Sequence, residues 1–510
     1  MKYTIANYDD LREKVAAMDV ESLLYSVIIP DIHSGSTVDY RNVGVFVHTV
    51  TSQEAVDFTR GAKENADHEM LFVADLESGA GDAILGETRF PMMRAAGVAN
   101  DADMAYRMGQ VCAIEGRKVG YAWTFAPCVD ICTNHDNSIV SSRSVGEDTQ
   151  QVIDIGGAYM RGLQDHGIVA TLKHFPGDGP CRFDQHLTAT ENPLSMEQWY
   201  ESFGRVYREL INQGAKTVMP GHISLPAYDE IDPETGIYPP ATLSKRLLTD
   251  LLKKELGFEG IIVSDATVMG GFCGYINYYE ACARFLEAGG DCLLFVNDLD
   301  RVVKNLKRLV ECGKLSLDTL RNRAYRMLCF AREISSEEYN NPEISREEAK
   351  AVSDEMVEKA CTVIRDRKRL LPYKLTENTK ILHLVCSNNY PPEYAEGLTN
   401  ELKKITKHVD VYIDAGPKKN LALAEDGGYD LIVCTIGTNT KPGWNTARLH
   451  GAVARNMMDG WCKIGPPVIF VNFGHPHWDE EYMAADTVIN TYGYTEHTAS
   501  VVMKKIIGQQ

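Results

Sequence analysis

No stretch of this sequence approaches the roughly 18 consecutive apolar residues that a membrane-spanning helix requires, so no such span is expected. The opening MKYTIANYDDLREKV has neither the basic start nor the apolar centre of an export signal, and a cytoplasmic location is expected. The thirteen cysteines are odd in number and form no CxxC pair, which points to reduced thiols rather than a disulfide framework. Positive charge is in deficit: 52 Lys and Arg against 71 Asp and Glu leave a net charge of -19. That balance argues against nucleic acid or an anionic membrane surface as the main partner. Gly437 and Gly474 each follow an apolar run, but no GxGxxG opens a helix there, so no dinucleotide and no other cofactor is expected. Low-complexity segments are missing too, as are internal repeats beyond a β-α rhythm.

That rhythm carries the fold. Up to about residue 335, eight short apolar runs alternate with amphipathic helical patterns: SVIIPDI, VGVFVHT, LFVADLE, YAWTFAP, IVATLKHF, KTVMPGHI, GIIVSDA and CLLFV. Near-continuous apolar strands separated by helices predict parallel strands buried on both faces, and a (β/α)8 barrel of the TIM type closes eight of them. Residues 336–370, including SREEAKAVSDEMVEKACTVIRD, read as a connecting helix and linker. Five further runs between 371 and 510 (ILHLVCS, VDVYIDA, DLIVCTIG, PPVIFVNFG and DTVINTYG) predict a C-terminal α/β sandwich with an open, mostly parallel sheet.

The strand ends are unusually polar: Asp75 and Glu77, Asp130, Lys173 and His174, His222, Asp265. In a barrel these ends converge on one face, and desolvating so many unpaired charges for packing alone is costly. Asp265, ending IIVSD, suits a nucleophile kept ionised by nearby bases such as Lys173 or Arg143, with a helix N-cap as the plainer alternative. In KHFPGDGPCRFDQH the glycines and prolines make a loop. Asp184 and His186 lie two apart, so in an extended segment both side chains point one way and the carboxylate can orient the imidazole as a general acid/base. His174, Asp184, His186 and His222 are also metal-ligand types, but their spacings match no familiar zinc pattern and no metal is expected. Arg143 offers a fork of donors for hydroxyls or carboxylates, or pairs with Glu147 at the surface. Asp75 is an acceptor suited to vicinal hydroxyls.

Taken in order, LFVADLESG, TRFPMMRAAG, WTFAPCVDI, SSRSVGED, LKHFPGDG with DQH, VMPGHISLP, the stretch through GIIVSDATVMGG and IRDRKRLLP resemble glycoside hydrolase family 3. The resemblance is to its β-N-acetylglucosaminidase branch, which includes cell-wall-recycling enzymes. It implies a retaining exo-β-N-acetylhexosaminidase with Asp265 as nucleophile, His186 as acid/base and Asp184 orienting it. It further implies that Asp75, Arg143, Lys173 and His174 hold the sugar, with His222 and Met269 as further candidates. Two departures stand out: Asp178 replaces the His of the commoner KHFPGHG, and DLESGAGDAI lacks the arginine that follows the related DQEGG. The aglycone stays open between a muropeptide, a chitooligosaccharide and a simple aryl-like group. A phosphorylase using phosphate as acceptor is the alternative, and a silent sugar-binding protein the remote one. Three tasks are open to the C-terminal part: buttressing the barrel, covering one side of the pocket, or homodimer contacts.

Overall fold

The computed structural model describes residues 2–339, 341–387, 393–438 and 442–509. Each of the eight apolar runs carries an extended segment. These are β1 (Ile28–Ile29) and β2 (Asp31–Ile32), which share the first run, then β3 (Gly44–Val47), β4 (Leu71–Ala74) and β5 (Trp123–Thr124). They continue with β6 (Thr171–Phe175), β7 (Thr217–Pro220), β8 (Ile261–Ile262) and β9 (Leu293–Leu294). All their pairings are parallel, in three short sheets ordered β2-β3-β4-β5, β6-β7-β8 and β1-β9. Isolated parallel bridges, Trp123 to Val169, Cys128 to Lys173 and Val263 to Cys292, link one sheet to the next. Amphipathic helices such as Ala102–Lys118 and Tyr278–Ala288 add their buried faces to one apolar cluster that runs from Ile5 to Ala360 and takes in Tyr492 from the C-terminal part.

The C-terminal sheet has six strands, not five. β11 (Ile381–Ser387), β12 (Val409–Ile413), β13 (Leu431–Gly437), β14 (Val468–Asn472) and β15 (Thr487–Asn490) pair in parallel, in the order β12-β11-β13-β14-β15. Ile381 and Leu382 enter different apolar clusters, as strand alternation requires of a sheet covered on both faces. The sixth strand, β10 (Thr362–Asp366), runs antiparallel on the edge beside β15. This corrects the linker: its helix stops at Ala360, and the β-branched run Thr362-Val363-Ile364 suits an edge strand better than a helix. The helix Arg346–Ala360 lies against the first part, where Lys359 reaches Asp101 at 2.6 Å and Arg107 reaches Glu355 at 2.8 Å. SMEQWYESFGRVYRELINQG, with one continuous periodicity, is two helices broken at Ser202.

Candidate active site

The polar strand ends Asp75, Glu77, Lys173, His174 and Asp265 meet at one cavity of about 630 Å³, whereas Asp130 and His222 are buried and do not line it. Asp75, Arg143, Lys173, His174, His186, Asp265 and Met269 all line it, together with Glu77. Along another side run aromatic residues, with Phe46 stacked on Phe125 and edge-on to Phe295. A wall with hydroxyl-gripping groups and a wall with apolar faces is what a sugar ring offers partners for.

Two consecutive residues of β6 reach the cavity because the ladder slips there. Met219 pairs with Lys173 and Pro220 with Phe175, so His174 is an extra residue, a bulge that re-aims its side chain. Lys173 Nζ lies 2.6 Å from Glu77 and 3.0 Å from Asp75. Arg143 meets the same Glu77 with two hydrogen bonds, of 2.8 and 2.7 Å. Burial opposes the charge of Glu77, but Arg143 and Lys173 outweigh it and hold the carboxyl far below its ordinary range. Glu77 is thus the partner of Arg143. Glu147, the surface partner considered from sequence, pairs with Arg94 instead. Asp75 keeps half its side-chain surface exposed, 52% against 15% for Glu77, which leaves its carboxylate open to a ligand.

His174 is oriented from behind. Its Nδ1 lies 2.7 Å from Asp130 Oδ2, so Nδ1 carries the proton and Nε2 faces Arg143 at 3.5 Å. Asp130 is buried and also accepts the Asp178 backbone N–H at 2.7 Å. Asp178 is buried beside it, accepting from Asn137 Nδ2 at 2.9 Å and Gln185 Nε2 at 3.2 Å. Burial, with the Asp130 charge nearby, pushes its carboxyl up to about 6. The residue that departs from the commoner motif is therefore an internal tie and does not line the cavity.

Asp265 closes the cavity floor. Burial would raise its carboxyl, but the imidazoles of His174, His222 and His186 and the Ala266 N–H, 2.8 Å from Oδ1, hold it below the usual carboxylate range. Lys173 and Arg143, expected to do this, are spent on Glu77 and Asp75. Asp265 is not a helix cap either, since the next helix begins at Gly270 with Met269 at its cap. His222 is buried with both nitrogens engaged: Nε2 donates to Ala266 O at 3.0 Å, and Nδ1 lies 3.0 Å from Thr242 Oγ1. It supports the Asp265 turn from beneath.

Asp184 and His186 do pair, by a route the sequence pattern did not suggest. The segment is a turn, not a strand: Asp184 Oδ1 accepts both the His186 backbone N–H and its Nδ1–H, each at 2.8 Å. An aspartate hydrogen-bonding its own backbone two residues on needs no extended chain. Asp184 is fully buried and His186 a quarter exposed, so the imidazole faces the cavity while its partner is shielded. Gly270 N–H donates to His186 O at 2.8 Å and Gly271 N–H to Gln185 O at 3.1 Å. Such an approach needs glycine, because a Cβ on Gly270 would lie 2.2 Å from Leu187 O. His174, Asp184, His186 and His222 thus fall into three separate arrangements: His174 with Asp130, Asp184 with His186, and His222 with Thr242 and Ala266.

Sequence reasoning left two contributions out. Glu77 was recognised only as a strand-end charge, although its place two residues after Asp75 is the signal that it shares the cavity. Pro442, more than 250 residues after His186, also lines the cavity, and nothing local marks it.

Residues 11–330 match the family model described as glycosyl hydrolase family 3 N terminal domain. The chain belongs to glycosyl hydrolase family 3. It is 28% identical over 491 residues to a beta-N-acetylglucosaminidase/beta-glucosidase of Cellulomonas fimi, covering 91% of this chain and 86% of that one. It is 32% identical over 263 residues to a beta-hexosaminidase of Pseudomonas aeruginosa, covering 50% of this chain and 76% of that protein. Among solved structures, a beta-glucoside phosphorylase superposes with a TM-score of 0.88 at 26% identity, covering 98% of this chain and 94% of the other. A family 3 beta-N-acetylglucosaminidase from Paenibacillus superposes at 0.81 with 22% identity, covering 97% of both chains, and shares the fold.

Proposed function

We propose that this chain is a retaining exo-acting β-N-acetylhexosaminidase that removes terminal β-linked N-acetylglucosamine. The observation that carries the reading is one cavity holding an ionised Asp265 and a His186 whose Nδ1 is tied to a buried carboxylate. The names of the Cellulomonas and Pseudomonas relatives support the sugar. In the first step an oxygen of Asp265 attacks the anomeric carbon, the glycosidic C–O bond breaks, and the imidazolium of His186 gives its Nε2 proton to the leaving oxygen. In the second step the neutral imidazole takes a proton from water, which displaces the Asp265 ester at the same carbon. Two inversions give retention. Asp184 fixes the tautomer and steadies the imidazolium. Asp75, Arg143, Lys173 and His174 grip the hydroxyls.

The first part is read as a (β/α)8 barrel over residues 1–335, followed by a connecting helix that ends at Ala360 and a C-terminal α/β domain whose first strand is β10. In support, the parallel pairings and bridges pass from each of the eight runs to the next, and β1 and β2 of the first run pair with the eighth and the second. All thirteen cysteines are free thiols, which supports a reducing, cytoplasmic setting. No helix among the described residues is long and apolar enough to cross a membrane. Muropeptide fragments and chitooligosaccharides are the substrates such a setting and sugar allow.

A second reading is favoured by the phosphorylase neighbour at TM-score 0.88. A neutral imidazole, unlike an ionised carboxylate acid/base, does not repel a phosphate dianion approaching the ester. Incubation with aryl N-acetylglucosaminide and aryl glucoside, with and without phosphate, separates the readings. Free N-acetylglucosamine with and without phosphate supports hydrolysis, and a sugar 1-phosphate formed in phosphate supports the second reading. Cleavage of glucoside alone overturns the sugar assignment.

A further inference from the structure

The Asp184–His186 pair is held from two sides, and one side belongs to the C-terminal part of the chain. Gly443 N–H donates to Asp184 Oδ2 at 2.8 Å, and Asp184 N–H donates to Asn445 Oδ1 at 3.0 Å. With Oδ1 occupied by His186, Asp184 therefore has both carboxylate oxygens and its own N–H engaged, two of these three by residues more than 250 positions away. Pro442, next in the chain, lines the cavity itself. Asn445 has a left-handed backbone, φ +56°, a conformation asparagine, aspartate and glycine tolerate better than other residues.

We infer that Asn445 and Gly443 are positioning residues for the acid/base, so that proton transfer by His186 depends on the 442–445 segment being docked against Asp184. Asn445 holds the backbone at which the turn starts. Gly443 fixes the rotation of the carboxylate, and its hydrogen bond steadies the charge that the imidazolium leans on. Neither residue touches the reacting atoms. Their effect runs through the proton transfers of His186, of which kcat/KM reads the first, whereas the Asp265 carboxylate takes its own hydrogen bond from the Ala266 N–H.

This inference rests on His186 being the acid, and the test separates the two. Asn445→Gly keeps the left-handed backbone and removes the acceptor, whereas Asn445→Asp keeps both. For Asn445→Gly, kcat/KM on an N-acetylglucosamine disaccharide is expected to fall about 10- to 100-fold, with a dinitrophenyl N-acetylglucosaminide changed less than about threefold. Asn445→Asp is expected to restore most of the disaccharide rate. The charge it adds beside the pair favours the imidazolium and moves the alkaline limb of the disaccharide profile to higher pH. Equal losses on both substrates, or none, for a folded Asn445→Gly would overturn the inference, as would an unmoved alkaline limb in Asn445→Asp. The second measurement stands alone should Asn445→Gly fail to fold. His186→Ala is the control: if it does not divide the two substrates either, the acid assignment has failed; if it does, only the role of Asn445 has.

Discussion

Arg143 and Glu77 form a two-point ion pair inside the cavity, and Lys173 Nζ shares Glu77 Oε1 with Arg143 Nη2. Two cations converging on one substrate sugar would repel each other and resist burial. Glu77 removes both problems, leaving their remaining N–H groups and the Asp75 carboxylate to face the ligand. This sets a preformed, nearly neutral grip where loose charges would otherwise have to be ordered at each binding event.

Replacing that centre has a clear expectation. Glu77→Gln leaves Lys173 and Arg143 underpaired in a mostly buried place, and breaking such a pair costs about 3 to 5 kcal/mol. The urea unfolding midpoint should fall accordingly. KM for an aryl N-acetylglucosaminide should rise more than kcat falls, since the loss is of grip. An unchanged midpoint would show that water already screens the triad.

Asp265→Asn should reduce kcat by about 10⁴-fold or more, the scale on which loss of a covalent nucleophile is felt. Calorimetric binding of N-acetylglucosamine should stay within a few fold. Turnover near the native level would remove Asp265 from the mechanism.

His186→Ala should lower kcat/KM on an unactivated disaccharide by about 10²- to 10⁴-fold, and far less on a dinitrophenyl glycoside whose leaving group needs no proton. Asp184→Asn should follow the same division in milder form. For the activated substrate the acid side of the pH profile should extend below the ordinary carboxylate range, because the nucleophile is held ionised there. Loss of that activity at pH 5 in a folded protein would contradict the placement of Asp265.

A different ion pair governs acid stability. Asp291 is fully buried, meets Arg326 Nε at 2.8 Å and accepts the Ile262 N–H at 2.9 Å. Burial opposes its charge, but Arg326, Lys253 and Arg323 outweigh it and depress the carboxyl strongly. A depressed carboxyl contributes stability above its unfolded value near 3.8 that is lost as pH falls through the folded one. Asp291→Asn should therefore cost about 3 to 5 kcal/mol at neutral pH and flatten the fall in stability below pH 4, read from denaturation at pH 3 and 7. Parallel curves for the two proteins would refute this.

The thirteen apolar runs lie where the strands are, because a strand buried on both faces needs little beyond a short stretch of apolar side chains, and that is a local property. The residues at their ends were legible as a group for the same reason: charges leaving a core are conspicuous in one dimension. Pairing is not local. That Arg143 chooses Glu77 over Glu147, that histidines and not Lys173 keep Asp265 ionised, and that Asp178 is an internal tie all depend on which groups meet after the strands assemble. Even the neighbours Asp184 and His186 were paired for the wrong reason, by strand alternation, where an aspartate turn does the work. The brace from Gly443 and Asn445 lies beyond any sequence pattern, since a backbone N–H and one amide oxygen leave no periodic trace and only docking of the two parts brings them to Asp184.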